Sequence, residues 1–390
     1  MNIKKIQRVL APILRPLAYP YAYVTRTRRQ RYLAGRNRSY RPKGTTISVG
    51  NIAAGGTGKT PLTGWILDWA ERHRRTAVVL TRGYGGKTGT YPVVVTPHTS
   101  ASQCGDEPLL LARSYPSATI IAFPKRHVSM ALAEKFFVPD LVVLDDGMQH
   151  LAIQRDMDFI VLKENDLRDG WNKVIPAGEW REDMSALTVA DAFFIKATAE
   201  QFSELCPLLI ERLAKFEKPV FSFALEVVGL QRMRSVLSDS RAESTTLITV
   251  GTTPPLDVEP SATSCALPTF VAPCDFSTFG EYVLVTGVGE PGQVVETAAG
   301  CIGRVPAKVY HFGDHHAYSA RDMQQIQSHG LPVICTEKDA VKLEQFSFSV
   351  PFYSLDVSVV FGERLLSALS FEEWLDAQYR ELSKVGSEKL

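Results

Sequence analysis

Short, mostly apolar or β-branched runs recur through the first half of the chain, separated by stretches whose apolar positions fall three and four residues apart. Residues 45–49, 76–81, 118–122, 141–144, 157–162, 191–196 and 219–224 read as strands, with 91–95 as a shorter one. Residues 61–71, 109–114 and 125–137 read as helices between them. Runs that do not alternate apolar with polar are buried on both faces. Strands of that kind, separated by helices, predict a parallel sheet covered on each side. From about residue 225 the texture changes, and 235–277 is dense in Ser, Thr and Pro with weak periodicity. Ordered βα units return at 282–286, 308–312 and 332–335, which predicts a second, smaller α/β domain joined by a hinge near 225–235. The expected division is 1–40, 41–225, 226–375 and a tail at 376–390. No internal repeat or heptad run is present.

The N-terminal pattern differs. Ile6, Leu10, Ile13, Leu14 and Leu17 share one helical face, among Lys4, Lys5, Arg8 and Arg15, with Arg26, Arg28, Arg29 and Arg31 following. Pro12, Pro16 and Pro20 interrupt the apolar stretch, which is too short to span a bilayer. No cleavage site typical of a signal peptide follows. A basic, amphipathic helix with tyrosines suits a membrane interface. A helix packed on the core needs only the stripe, and a nucleic-acid arm needs only the charge. The apolar content ahead of the arginines favours the membrane surface over nucleic acid.

Bulk composition changes this picture little. The 390 residues are 45% hydrophobic and 22% charged, ordinary for a globular protein and enough for two domains. The net charge of +1 conceals an asymmetry: residues 1–67 hold 13 Lys and Arg and no acidic residue. The six cysteines form no C-x-x-C pair, which argues against zinc or redox chemistry and for reduced thiols in a cytosolic compartment.

The chemistry-bearing segment is 53–60, Ala-Ala-Gly-Gly-Thr-Gly-Lys-Thr. It follows the first strand and precedes the first helix of the sheet domain, the context of a nucleoside-triphosphate phosphate loop. Ala53, Ala54, Gly55, Gly56, Thr57 and Gly58 would wrap backbone N–H groups around phosphate oxygens. Lys59 would reach the β- and γ-phosphates, and Thr60 would place a hydroxyl at Mg²⁺. The helix N-terminus adds about half a positive charge. Ala53 stands where the strict pattern has Gly, a mild change if its backbone angles are ordinary.

Strand 141–144 ends in Asp145-Asp146, a Walker B-like carboxylate pair suited to Mg²⁺. Gly105-Asp106-Glu107-Pro108 opens a helix, with Asp106 as its cap, as a proton acceptor, or both. His315 and His316 are adjacent and point to different sides, so they do not form a two-His metal site. His315 is a surface histidine or one that reaches a cleft. Ser319 with Asp322, and Thr336 with Asp339, read as helix caps. Gly287–Gly292 fits G-x-G-x-x-G but reads as a tight βα turn rather than a dinucleotide site.

Taken together, these residues resemble the tetraacyldisaccharide 4′-kinase family. The matching stretches are Ser48-Val49-Gly50-Asn51 with the phosphate loop, Thr81-Arg82-Gly83-Tyr84-Gly85, Gly105-Asp106-Glu107-Pro108, Asp145-Asp146-Gly147-Met148-Gln149-His150, Pro176-Ala177-Gly178 with Arg181-Glu182, Asp314-His315 and Thr336–Ala340. Met148 stands where the family usually has Phe. The resemblance implies a P-loop NTPase-like lobe and a second α/β lobe, with the active site between them. It implies ATP and Mg²⁺, a lipid A disaccharide precursor as acceptor, and a peripheral place on the cytoplasmic face of the bacterial inner membrane, without nucleic acid. It assigns Asp106 as base with His315, and Thr60, Glu107, Asp145 and Asp146 to the metal. It sets Arg126 and Arg181 near substrate or phosphate, with Tyr84, Gln149 and His150 in the substrate-facing motifs. A different class, a membrane-associated P-loop ATPase that switches a protein partner, shares the phosphate loop and the basic arm but has no use for a base from a second lobe.

Overall fold

The structure, a computed structural model, describes residues 3–55, 58–87, 89–233, 280–289 and 291–387. Gly56 and Thr57 of the phosphate loop, Cys265, Cys274 and the Ser/Thr/Pro-rich stretch 235–278 lie outside the described residues. The chain forms two compact units, Met1–Glu226 with Ser358–Leu390, and Val227–Val357.

The larger unit is an α/β/α sandwich around a parallel sheet. Its strands are β1 (Thr45–Asn51), β2 (Ala77–Thr81), β3 (Val93–Val95), β4 (Thr119–Ala122), β5 (Leu141–Asp145), β6 (Met157–Leu162), β7 (Ala192–Lys196) and the start of β8 (Val220–Arg232). They lie in the order β8-β7-β6-β1-β5-β2-β4-β3. Every pairing from β7–β8 to β2–β4 is parallel, and only the edge strand β3 runs antiparallel. Strands β2, β5 and β6 are buried at every residue, as their apolar runs require. The β1–β5 register pairs Val49 with Asp145, so the phosphate loop and the Asp145-Asp146 pair leave neighbouring strands at the same carboxyl edge. Ligands gather at that edge in open parallel sheets.

Helices α1 (Ile3–Leu33), α2 (Lys59–Arg72), α3 (Ala101–Cys104), α4 (Asp106–Ser114), α5 (Arg126–Phe136), α6 (Glu164–Leu167) and α7 (Ala199–Leu213) belong to the same unit. Helix α1 is continuous through Pro12, Pro16 and Pro20. Their spacing of four puts the missing N–H groups on one face. Ile13 and Leu17 are 74% and 59% exposed, so the core-helix alternative fails for this part of α1. Its last turns do pack: Ala22 touches the core and Arg29 is buried. Ile6 lies outside the residues whose side chains are described. No described helix is long and apolar enough to cross a membrane.

The smaller unit has the strand order β10 (Lys308–His311), β9 (Val283–Thr286), β11 (Val333–Thr336) and the start of β12 (Phe352–Leu365), all parallel. Helices α8 (Pro291–Ile302), α9 (Ala320–Gln327) and α10 (Glu337–Leu343) accompany them. The hinge expected at 225–235 overlaps β8, which runs unbroken to Arg232. Residues 358–375, expected in the smaller domain, sit in the larger unit with the last helix, α11 (Phe371–Ser387). Burial explains their place. Phe371 packs against Phe194 and Phe221 at ring-centroid distances of 4.9 and 5.4 Å, and Trp69 Nε1 donates to Asp376 at 2.9 Å. One such buried aromatic contributes about 1.5–3 kcal/mol.

Candidate active site

Helix α2 begins at Lys59 behind Gly58, whose φ is +87°. The positive φ favours glycine there, and a Cβ would in addition sit tightly, 3.1 Å from the Phe223 ring. Ala53, the departure from the strict pattern, is fully buried, bridges to Trp180 and has no positive φ. The alanine is therefore a core residue at no backbone cost. Ala54 N donates to Glu179 O at 2.8 Å, tying the loop to the segment that leads to Arg181. Gly55 has φ +104°.

Lys59 Nζ donates to Asn51 Oδ1 at 2.9 Å and lies 3.5 Å from Asp146 Oδ1. Arg181 Nη1 reaches both Asp146 oxygens at 3.2 Å and Gln149 Oε1 at 3.0 Å. Gln149 Nε2 returns to Asn51 O at 3.2 Å. Lys59, Asn51, Asp146, Arg181 and Gln149 thus form one connected network at the carboxyl ends of β1 and β5. In the sequence Asn51 enters only as the end of the Ser48-Val49-Gly50-Asn51 stretch that carries the resemblance, with no role attached to it. Its signal is its position as the last residue of β1, just before the loop.

The two carboxylates differ. Asp145 is 3% exposed, and its carboxyl is pushed up to about 6 by burial, then by Glu107 and Asp146. Thr63 Oγ1, one helical turn past Lys59, donates to Asp145 Oδ1 at 3.3 Å, a second contact missed in the sequence. Asp146 has φ +49°. Burial opposes its charge, but Lys59, Arg181 and Arg126 outweigh burial and hold the carboxyl below its ordinary value. Among the described residues, no group of three or more His, Cys, Asp and Glu forms a ready metal shell. The donor chemistry nonetheless fits Mg²⁺: Thr60, Glu107, Asp145 and Asp146 supply hard oxygens, and the crowding that raises Asp145 is relieved by a dication. Mg²⁺ keeps several waters and needs few protein ligands.

Asp106 is the first residue of α4 and is 5% exposed; it belongs to the larger unit together with the phosphate loop, so the expectation of a base from the second lobe fails for this carboxylate. The expected cap is displaced by one residue: Gly105, with φ +93°, is the N-cap. A Cβ on Gly105 would lie 2.4 Å from Tyr84 O, so the Tyr84 loop and the Asp106 turn approach through their backbones. The Tyr84 side chain is 63% exposed.

Arg126 is buried at the start of α5, and its Nη1 donates to Asp146 O at 2.9 Å. Burial lowers its pKa, partly offset by Asp146 and Asp145. Burial, then Arg126, His127, Arg155 and Arg28, pushes His150 down to about 3, so it is neutral at physiological pH.

In the smaller unit, His315 has φ +59° and lies 3.5 Å from Lys338 Nζ, which pairs with Asp314 at 3.0 Å. His316 turns away, meeting Asp322 at 3.2 Å and stacking on Phe312. Ser319 and Thr336 are the N-caps of α9 and α10, as their spacing implied. Gly287 N donates to the buried Asp339 at 2.9 Å, and helix α8 starts four residues on, so the glycine motif is a βα turn. Glu290 within it lies outside the described residues.

A family model described as tetraacyldisaccharide-1-P 4′-kinase matches residues 10–378. The tetraacyldisaccharide 4′-kinase of Nitratidesulfovibrio vulgaris is 40% identical over 98% of both chains. That of Oleidesulfovibrio alaskensis is 40% identical over 93% of this chain and 91% of its own. A crystal structure of the "apo" form LpxK from Aquifex aeolicus in complex with ATP superposes with a TM-score of 0.70. It covers 95% of this chain and 99% of its own at 24% identity, so it speaks to the fold. By its phosphate loop, its site motifs and these end-to-end matches, the chain belongs to the tetraacyldisaccharide-1-P 4′-kinase family.

Proposed function

We propose that this kinase transfers the γ-phosphate of ATP to the 4′-hydroxyl of a tetraacyldisaccharide 1-phosphate. The observation that carries the reading is the convergence of Lys59, Asp146 and Arg181 at the mouth of the phosphate loop, two cations around one carboxylate. Lys59, held by Asn51 and Asp146, is poised to swing onto the β- and γ-phosphates. Arg181 can follow the charge that spreads over the γ-phosphoryl oxygens in transfer. Thr60, Glu107, Asp145 and Asp146 would hold Mg²⁺, which would neutralise charge across the β- and γ-phosphates. Thr63 orients Asp145 for that role.

A sugar hydroxyl is a poor nucleophile, and its proton leaves late in a loose phosphoryl transfer. Asp106 aligns the hydroxyl and accepts the proton, assistance worth roughly 10²–10⁴-fold. The role given to His315, the other member of the pair, is to orient that carboxylate. The test is Asp106→Asn. It should lower kcat by that factor with ATP affinity retained; wild-type turnover would remove Asp106 from the chemistry.

Helix α1 supports a peripheral membrane role on the cytoplasmic face of the inner membrane. Leu10, Ile13, Leu17, Tyr21 and Val24 form an exposed apolar stripe along one face of the helix. Each basic residue near an anionic surface adds about 1 kcal/mol.

A further inference from the structure

Three successive attachments fasten the end of α1 to two loops. Arg26 reaches Asp183 Oδ2 from Nε at 2.8 Å and from Nη2 at 2.6 Å. Arg28 Nη1 donates to Gln149 O at 3.3 Å. Arg29 makes a fork: Nε to Glu182 Oε2 at 2.7 Å, and Nη2 to both Glu182 Oε1 at 2.6 Å and Met148 O at 3.0 Å. The Arg29 and Glu182 side chains are 3% and 5% exposed. The arginine therefore bridges the loop after β5 and the loop at 179–183 in one buried fork.

Those two loops carry the charged centre. Asp146 and Gln149 flank Met148, and Arg181 precedes Glu182. Arg181 bonds both Asp146 and Gln149, while its backbone N donates to Ile52 O at 2.7 Å. We infer that Arg29 is a positioning residue. From α1 it holds the 146–149 and 179–183 loops in the register that lets Arg181, Asp146 and Gln149 converge on Lys59. The inference rests on reading that cluster as the phosphate-transfer centre.

Stability alone is a poor account of the fork. Two buried charges pay a desolvation penalty, and well-packed apolar residues of similar volume often serve a fold as well or better. What they cannot do is fix two loops at once through directed bonds. A planar guanidinium can, because its donors diverge at set angles. Lysine cannot meet two carboxylate oxygens and the Met148 carbonyl in the same way.

The test uses the full chain with Arg29→Met combined with Glu182→Leu, which removes both charges together, and separately Arg29→Lys, which keeps the buried pair neutral. Thermal unfolding shows whether each variant folds, and Arg29→Lys carries the test if the double variant does not. Hydrogen–deuterium exchange of peptides covering 146–150 and 179–183 reads the loops without any acceptor. Transfer kinetics read the chemistry. The expected result is faster exchange confined to both loops, and kcat lower by about ten-fold or more with KM for ATP within about three-fold. Arg29→Lys should fall between wild type and the double variant. Folded variants with wild-type exchange, or with loosened loops and wild-type kcat, would overturn the inference; so would a lower kcat with unchanged loops. A wild-type enzyme that moves no phosphate to the lipid would instead break the functional proposal, while loop exchange would still test the clamp.

Discussion

Alanine at Gly105 places a methyl group 2.4 Å from the Tyr84 carbonyl oxygen, on a backbone with φ +93° and ψ 159°. That conformation is essentially restricted to glycine and costs other residues about 1–3 kcal/mol. The clash is with main chain, so no side-chain rotation relieves it, and overpacking of this kind costs about a further 1–3 kcal/mol. The sum, about 2–6 kcal/mol, is a large part of a typical domain's stability. The relief available is a shift of the turn that begins α4, which moves Asp106. A displacement of about 1 Å at a reacting group costs on the order of 10²-fold in rate. Gly303→Ala is the control: it has a comparable φ of +72° at the end of α8, yet nothing lies within 4 Å of the added methyl. It should lower stability by about 1–2 kcal/mol and leave kcat unchanged. Denaturant unfolding and transfer kinetics on both variants decide the matter. A Gly105→Ala enzyme with the stability and kcat of the Gly303→Ala control would refute the reasoning.

Lys59→Ala should reduce kcat/KM for ATP by at least about 10²-fold, measured by steady-state kinetics at saturating acceptor; an unchanged value would remove Lys59 from the phosphate site. Asp145 bears on stability through its raised pKa. Its neutral form is favoured by the fold, so that contribution is complete below the unfolded value of about 4 and is lost as pH rises through about 6. Asp145→Asn should therefore unfold at a higher temperature than wild type at pH 7 in the absence of Mg²⁺, the gap closing below about pH 4; equal melting temperatures across that window would contradict the burial argument. Ile13→Glu with Leu17→Glu should weaken cosedimentation with anionic phospholipid vesicles by about ten-fold or more, with ATP affinity unchanged; undiminished binding would displace α1 from the membrane contact.

How much of this was legible depends on how local each determinant is. The strand–loop–helix at 45–71 is encoded by neighbours in sequence, and the apolar runs announce β1, β2, β5 and β6 directly. The caps at Ser319 and Thr336 are likewise local hydrogen bonds. Helix α7 escaped the reading although its signals are present: Thr198 and Gln201 form a capping box, and Phe202, Leu205 and Leu209 line its buried face. Pro207 inside it obscured the period. Strand β12 and helix α11 escaped for another reason, since their place is set by partners such as Trp69 and Phe194, far away in sequence. The site divides in the same way. Lys59, Asp106, Asp145 and Asp146 sit at element ends and read as chemistry. Asn51, Thr63 and Arg29 act through residues 82 to 153 positions away, or from a strand end whose motif carries no role by itself, and only the folded chain brings them together.

The most direct measurement is phosphate transfer from γ-labelled ATP to detergent-dispersed tetraacyldisaccharide 1-phosphate, with Mg²⁺ present or chelated and the product's phosphate position mapped. The account predicts labelled lipid only with enzyme and Mg²⁺, carrying its new phosphate at the 4′ position. Active protein that hydrolyses ATP and leaves the lipid unlabelled, or labels it elsewhere, would contradict it.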